Sequence, residues 1–567
     1  MKHIFASVVV VGIAAGFAFE AMRGNVIMAD AAKPAAAARA EAPPGATLIP
    51  GLGNHPFAIT TRSPEAQRWF NQGLMLTFGF NHDAAERSFL RAAQLDPSCA
   101  MCWWGASLVL GPHVNAGMDP ASNGPAWERL QRARELAPGS TPRERAFIEA
   151  LSARYAANPP ENRRALDEAY ASAMGRLVAQ RPDDLDAAVF HAEAMMDLQP
   201  WDYYDAAGRP KGHTAEVVAQ LESVMRRNPD HAGALHLYVH AVEASPDPQR
   251  GVAAADHLRT LIPGSGHLVH MPAHIYARVG RWNDAIIANQ NAIKADNDYI
   301  QLCGPRVRGV YPLGYVPHNH HFLWFAASMA GASEVARQAA LETSRRTNLP
   351  DLMRQPGYAG LQNYWMTPWF DRVRFGRWEE ITRLPNPAPD LPYVSAIWHY
   401  AQAMAAVRLG RMEQAQAHHA ALAKLATTPE FETMLIWDRY PVSQGVQIAE
   451  RTVRAELALA RHDPAAATAI LREAVQLEDA LLYDEPPAWH MPVRLALGEA
   501  LLAAGRPAEA ERVYREELKR NPDNGWSLQG LTASLNAQHK ETEAREVAQL
   551  QAKAWEHADI KLRSSRL

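Results

Sequence analysis

Between Ser63 and His557 large apolar residues, small residues and polar residues recur at helical spacing. No run of alternating β-branched residues, the pattern of a half-buried strand, interrupts them. Trp69 and Gly73 share one face of a predicted helix, Ala85, Phe89 and Ala92 share one face of a second, and Pro97 ends it. Near the other end Gly498, Gly505, Ala510, Tyr514 and Pro522 repeat the arrangement, and Trp526 with Gly530 opens a further copy. Tyr276, Gly280, Ala285 and Ala292 mark a copy between them, as do Ala403, Gly410 and Ala415. Small residues let antiparallel helices approach closely, while large ones fill the groove between neighbouring pairs. The expected class is all-α.

These offsets resemble the tetratricopeptide repeat family, with a large residue and Gly in the first helix, small-large-small residues in the second, and a terminal Pro. One departure is Gln529, which stands where the family pattern has Leu, with Leu528 one residue early. The resemblance implies an α-solenoid, a right-handed superhelix of helical hairpins in which each hairpin buries its face against its neighbours. It also implies a concave groove lined by first helices that takes a protein or peptide partner. Fold alone does not fix function.

The ends and one internal stretch read differently. Lys2 and His3 precede an apolar run from Ile4 to Phe19, with Ala29-Asp30-Ala31 as a cleavage candidate, so residues 1–31 are expected to be an export signal. Residues 32–50 are Ala/Pro-rich and have no hydrophobic period, as a linker would. Residues 51–345 are expected to form one solenoid, 346–396 a Pro/Trp/Tyr-rich connection, and 397–567 a second solenoid. The expected location is the periplasm or outside the cell, with no membrane span beyond the signal segment.

Composition narrows the function classes. A formal net charge of −4 without a Lys/Arg run gives no footprint for nucleic acid. In an oxidising compartment Cys99 and Cys102 can close a disulfide, while their place at a predicted helix start also leaves redox chemistry or Cu(I) capture open. No G-x-S-x-G, nucleotide-binding or H-E-x-x-H motif is found.

The histidines change the picture most. His236 and His240 are four apart, His270 and His274 are four apart, and the pairs are offset by 270 − 236 = 34 and 274 − 240 = 34. Thirty-four is the repeat length of the family resembled above, so the pairs should occupy equivalent helix positions in adjacent repeats. Glu243 continues the stripe of His236 and His240, and His267 precedes His270 by three residues, although Pro272 suggests that the regular helix starts close to it. His318 and His321 follow Pro317 on one face of another predicted helix start, 318 − 270 = 48 residues on, as if one loop had grown.

Clustered neutral imidazoles repel when protonated and strand ring nitrogens when buried, and a transition-metal ion removes both problems. The donor set suits Cu, Zn or Fe rather than Ca or Mg. The expected ligands are His236, His240, His270 and His274, with His267 as a further one. Glu243 is a ligand or a base for bound water, and His318 or His321 a donor to substrate, giving an oxidase or hydrolase. The competing reading is a non-catalytic scaffold whose groove takes a peptide or a small molecule, with aromatic residues such as Trp201, Tyr203, Tyr311, Tyr315 and Trp324 around it. His191, Glu193, His113, His490, His418 and His419 are weaker candidates, better explained by caps, packing or a solvated face.

Overall fold

A computed structural model describes residues 46–304, 307 and 309–567, so the export signal expected at 1–31 lies outside the described residues. What is described is a succession of antiparallel helical pairs. Pro64–Phe78 packs on His82–Leu95, Ala232–Glu243 on Val252–Leu261, Val316–Met329 on Ser333–Thr347, and Val493–Ala503 on Pro507–Arg520. Local chemistry starts several of them: the Ser63 hydroxyl accepts from the Ala66 N–H, Asn81 from Ala84, and Asn524 from Ser527.

The small-large-small pattern has a direct steric cause. A Cβ added at Gly73 would meet the Phe89 ring at 2.7 Å, and one at Gly105 would meet the same ring at 2.5 Å. At the other end a Cβ at Gly498 or Gly530 would strike Tyr514. The spacing is identical, 105 − 73 = 32 and 530 − 498 = 32, so one aromatic ring is held between the first helices of two consecutive pairs.

The turn inside each pair also recurs. Gly280, Gly331, Gly376, Gly410 and Gly505 have φ of 79, 72, 64, 72 and 69°, and the residue after each donates its N–H to a carbonyl five residues back. That is the left-handed helix end at which glycine is unstrained. The same turn is made by His462 and His539, and by Phe80 with φ 53°.

The helical stack does not pause at 346–396. Ala359–Trp365, Thr367–Arg374 and Trp378–Thr382 fall within that stretch and pack on their neighbours in sequence. The last repeats fold back onto the middle of the chain. The indole N–H groups of Trp282, Trp526 and Trp555 donate to the carbonyls of Pro522, Ser328 and Met329 at 2.9, 2.8 and 2.9 Å, across separations of 240, 198 and 226 residues. Among the described residues one two-stranded hairpin, Leu435–Ile436 with Tyr440–Pro441, stands among the helices. Cys99 and Cys102 are joined by a disulfide. Among the described residues no helix is long and apolar enough to cross a membrane.

Candidate metal centre

Ala232–Glu243 carries His236, His240 and Glu243, all buried. The next first helix is broken in two. Gly266–His270 carries His267 and His270, and Pro272–Arg278 carries His274. Proline cannot donate to the ladder, which explains the break at Met271, yet the piece before it is helical and aims His267 inward. The 48-residue interval to His318 is taken up less by loop than by a 22-residue second helix, Trp282–Cys303, followed by a wide turn at Tyr311–Tyr315. Val316–Met329 then brings His318 back to the stack.

The imidazoles fall into two trios, His236/His240/His267 and His270/His274/His318, each with ligand atoms within 4.8 Å of one another. Proton bookkeeping shows what faces the middle of the second trio. The Asn289 amide N–H donates to Ala285 O, which leaves its Oδ1 to accept from His270 Nδ1 at 2.7 Å. His274 Nδ1 donates to Glu243 Oε2 at 2.6 Å, and His318 Nδ1 lies 3.2 Å from the Tyr364 hydroxyl. A neutral imidazole whose Nδ1 carries the proton has a bare lone pair at Nε2. Yet His270 Nε2 lies 2.8 Å from His274 Nε2 and 3.0 Å from His318 Nε2. A shared proton can serve one of those two contacts. An ion serves all three nitrogens, since tetrahedral ligands ~2.0–2.1 Å from a Zn(II)-type ion sit ~3.3 Å apart.

The first trio repeats this logic with other partners. His236 Nδ1 donates to Phe78 O at 2.6 Å, and His240 Nδ1 donates to Glu243 Oε1 at 2.9 Å. His236 Nε2 and His267 Nε2 are 3.0 Å apart, and buried His240 Nε2 has no hydrogen-bond partner among the described residues. Fixed acceptors for the N–H of the far nitrogen are the usual outer shell of metal-bound histidine. A third group, His55/Asp186/His231, lacks that signature. His231 Nδ1 accepts from the Ala234 N–H, so its proton sits on Nε2, and Asp186 is already paired with Arg143 at 2.8 Å.

Electrostatics keep most of these rings neutral. Burial first, then neighbouring imidazoles, hold His267 and His318 well below the ordinary histidine value; burial and His274 do the same to His270. Burial opposes the charged form of His274 too, but Glu243, with Glu485 and Asp484 behind it, raises it overall. Burial likewise disfavours the Glu243 carboxylate, and His274 and His240 outweigh it, holding the group at about 2. Glu243 is therefore an anion whose two oxygens are taken by two different repeats.

His318 is the member of the trios with surface exposure and marks the edge of the centre. His321 lies outside both trios, its ring 4.7 Å from Tyr364 and 5.3 Å from Trp324. His490 pairs with the Tyr400 hydroxyl, His191 with Gln220, and His418 with His399. His113 packs on Phe80 and His82. The rings do not line an open groove: Phe80 covers the first trio, 4.5, 6.0 and 5.5 Å from His236, His240 and His267, and Trp201 lies 5.2 Å from His240. Tyr483, from a loop 240 residues away, places its hydroxyl 3.3 Å from Glu243 Oε2 and 2.7 Å from Glu485 Oε1. Sequence reasoning missed Asn289, Tyr364, Phe80 and Glu485 as parts of this centre. Only Tyr364, within a cluster of aromatic residues, carried any signal.

Residues 492–535 match the tetratricopeptide repeat family model. A 91-residue stretch is 42% identical to cellulose synthase operon protein C of Xanthomonas axonopodis pv. citri (strain 306), covering 16% of this chain and 5% of that protein. Among solved structures, the human IFIT1 dimer with m7Gppp-AAAA is 11% identical over 88% of this chain and 95% of that one, with a TM-score of 0.31. Yeast Tom70 is 13% identical over 87% and 99%, also with a TM-score of 0.31. The repeat match and the helical pairs described above together make this chain an all-α solenoid of tetratricopeptide type.

Proposed function

We propose that the protein is an exported metalloprotein that binds a transition-metal ion through His270, His274 and His318. The observation that carries this reading is that His270 Nε2 faces the Nε2 atoms of both His274 and His318, while each ring's Nδ1 has its own partner on the outside. Imidazole donors select Cu, Zn or Fe(II) over Ca and Mg. Three protein ligands leave a coordination position open, the arrangement of a catalytic rather than a purely structural site, and hydrolysis or oxidation is the chemistry such a position supports. Glu243 acts in this reading by orienting His240 and His274, since both of its oxygens are engaged by imidazole N–H groups.

The scaffold reading accounts for the repeats but leaves the histidines unexplained. Buried rings with Nε2 atoms turned toward one another are poorly placed to hydrogen-bond a peptide in a groove. Elemental analysis of tag-free protein recovered from the periplasm, beside a His240→Ala/His274→Ala variant of equal helicity, tests the proposal. Near-stoichiometric Cu, Zn or Fe that the variant loses is the expected result. Metal absent from both, even after reconstitution, would return the protein to the scaffold class.

A further inference from the structure

We infer that the centre is dinuclear, with one ion in each histidine trio and Glu243 as the positioning residue common to both. The inference rests on the metal reading of His270, His274 and His318 and adds a second ion at His236, His240 and His267.

Three observations carry it. First, two of the three rings of the first trio are prepared in the same way as those of the second, while His267 Nδ1 is buried without a hydrogen-bond partner among the described residues. The Phe78 carbonyl and Glu243 Oε1 take the Nδ1 protons of His236 and His240, so the Nε2 lone pairs of both rings are turned toward the middle of the trio. His240 Nε2 is buried without a partner among the described residues, and a lone pair in that position is expensive unless something electrophilic meets it. Second, no ring is shared. Each trio has a complete set of three imidazoles, and one ion cannot reach six nitrogens that form two separate groups. Third, the groups abut. The His240 and His274 rings are 6.0 Å apart and the His267 and His270 rings 6.1 Å apart, so ions in the two trios would be near neighbours.

Charge supports the same count. Six imidazoles are neutral ligands, so two divalent ions bring four positive charges into a buried place. Glu243 lies between the trios, and on the side of His274 stand Glu485, which is buried, and Asp484, which is half-buried and near Arg439. Such carboxylates are costly to bury alone and are stabilised when cations bind beside them. Histidines at 236 and 240 recur at 270 and 274 one repeat later, so each trio contains one of the two repeat-matched pairs.

Titration of the full, metal-free protein with Zn(II) against a chromophoric chelator tests the inference, with Mg(II) and Ca(II) as controls. Two equivalents per chain are expected for the unmodified protein, one for His236→Ala/His240→Ala, one for His270→Ala/His274→Ala, and none for the fourfold variant. One equivalent in the unmodified protein, lost in both double variants, would mean a single ion: the metal reading would stand and the dinuclear inference would fall. Two equivalents that survive in His236→Ala/His240→Ala would place the second ion elsewhere and also overturn it. No binding in any form, with Cu(I) giving the same answer, would remove the metal reading itself.

A measurement on the unmodified protein guards against variants that fail to fold. Electron paramagnetic resonance with Cu(II) should show one isolated signal at low loading and spin coupling as the second equivalent enters. Two magnetically isolated signals at full loading would contradict adjacent sites.

Discussion

Glu243 and His274 belong to neighbouring hairpins, 31 residues apart, and are joined by a 2.6 Å bond from His274 Nδ1 to Glu243 Oε2. The other oxygen of the same carboxylate takes the His240 Nδ1 proton at 2.9 Å. One side chain thus fixes the tautomer of an imidazole in each trio, which makes it the most informative position to change. In Glu243→Gln the amide has one acceptor oxygen and one donor NH2, so it can satisfy only one of the two N–H groups. Loss of such an outer-shell partner weakens metal binding by ~10–100-fold. We expect one of two Zn(II) affinities to fall by that amount, with helicity unchanged, in a competition titration. Unchanged affinity at both would remove Glu243 from the centre.

Tyr364 offers a milder test. Its hydroxyl lies 3.2 Å from His318 Nδ1, a long contact, and Phe fits the same space. A single hydrogen bond contributes ~1 kcal/mol, about 5-fold in affinity. Tyr364→Phe should therefore weaken the His270/His274/His318 ion about 5-fold and leave the other ion unaffected. A loss of a hundredfold or more would mean that Tyr364 does something other than orient His318.

How much of this was legible in the sequence can be traced residue by residue. The 34-residue echo of His236/His240 in His270/His274 is a local signal repeated at the repeat length; His236 and His240 share one helix, while His270 and His274 lie on the two pieces of the next first helix. Phe89 and Tyr514 were legible too, because their packing partners lie within one repeat. The division of the histidines was not. It depends on the break at Met271 and on the 22-residue helix that returns His318 to the stack, and neither follows from a periodic pattern. The outer shell was least legible. Phe78 reaches His236 across 158 residues and Tyr483 reaches Glu243 across 240, because the solenoid folds back on itself.

Phe80, like His462 and His539, stands where other turns of the stack carry glycine, and its ring lies at the site. Five equivalent turns carry glycine, whereas Phe80 takes the same left-handed conformation with φ 53° and packs its buried ring over the first trio. A left-handed non-glycine residue costs roughly 1–2 kcal/mol, and removing a buried Phe side chain costs roughly 3–5 kcal/mol. The second term is larger. Phe80→Gly should therefore be destabilising by about 1–4 kcal/mol, read as a lower denaturation midpoint, despite relieving the backbone. A variant at least as stable as the parent would show that the ring contributes little to the packing.

Asp296 sets a pH dependence of stability apart from the histidines. Burial raises its carboxyl to about 7, against hydrogen bonds from the Tyr311 hydroxyl at 2.8 Å and the Asn319 amide at 2.7 Å. A carboxyl raised in the folded state favours its protonated form. Its contribution is therefore complete below the ordinary carboxylate range and is lost as pH rises toward about 7. Asp296→Asn keeps the shape without the charge, and Asn319 Oδ1, which has no partner among the described residues, can turn to accept from the new amide. Between pH 5 and pH 8 the parent should lose stability relative to Asp296→Asn, on the order of 2–4 kcal/mol. Parallel pH profiles for the two proteins would contradict this.

Anomalous diffraction from crystals of the metal-loaded protein, recorded on both sides of the absorption edge, tests the central claim most directly. The account predicts a peak among the Nε2 atoms of His270, His274 and His318, with a second among His236, His240 and His267. Well-ordered histidines with no edge-dependent peak between them, or a peak bound only at surface groups such as His399 and His418, would contradict it.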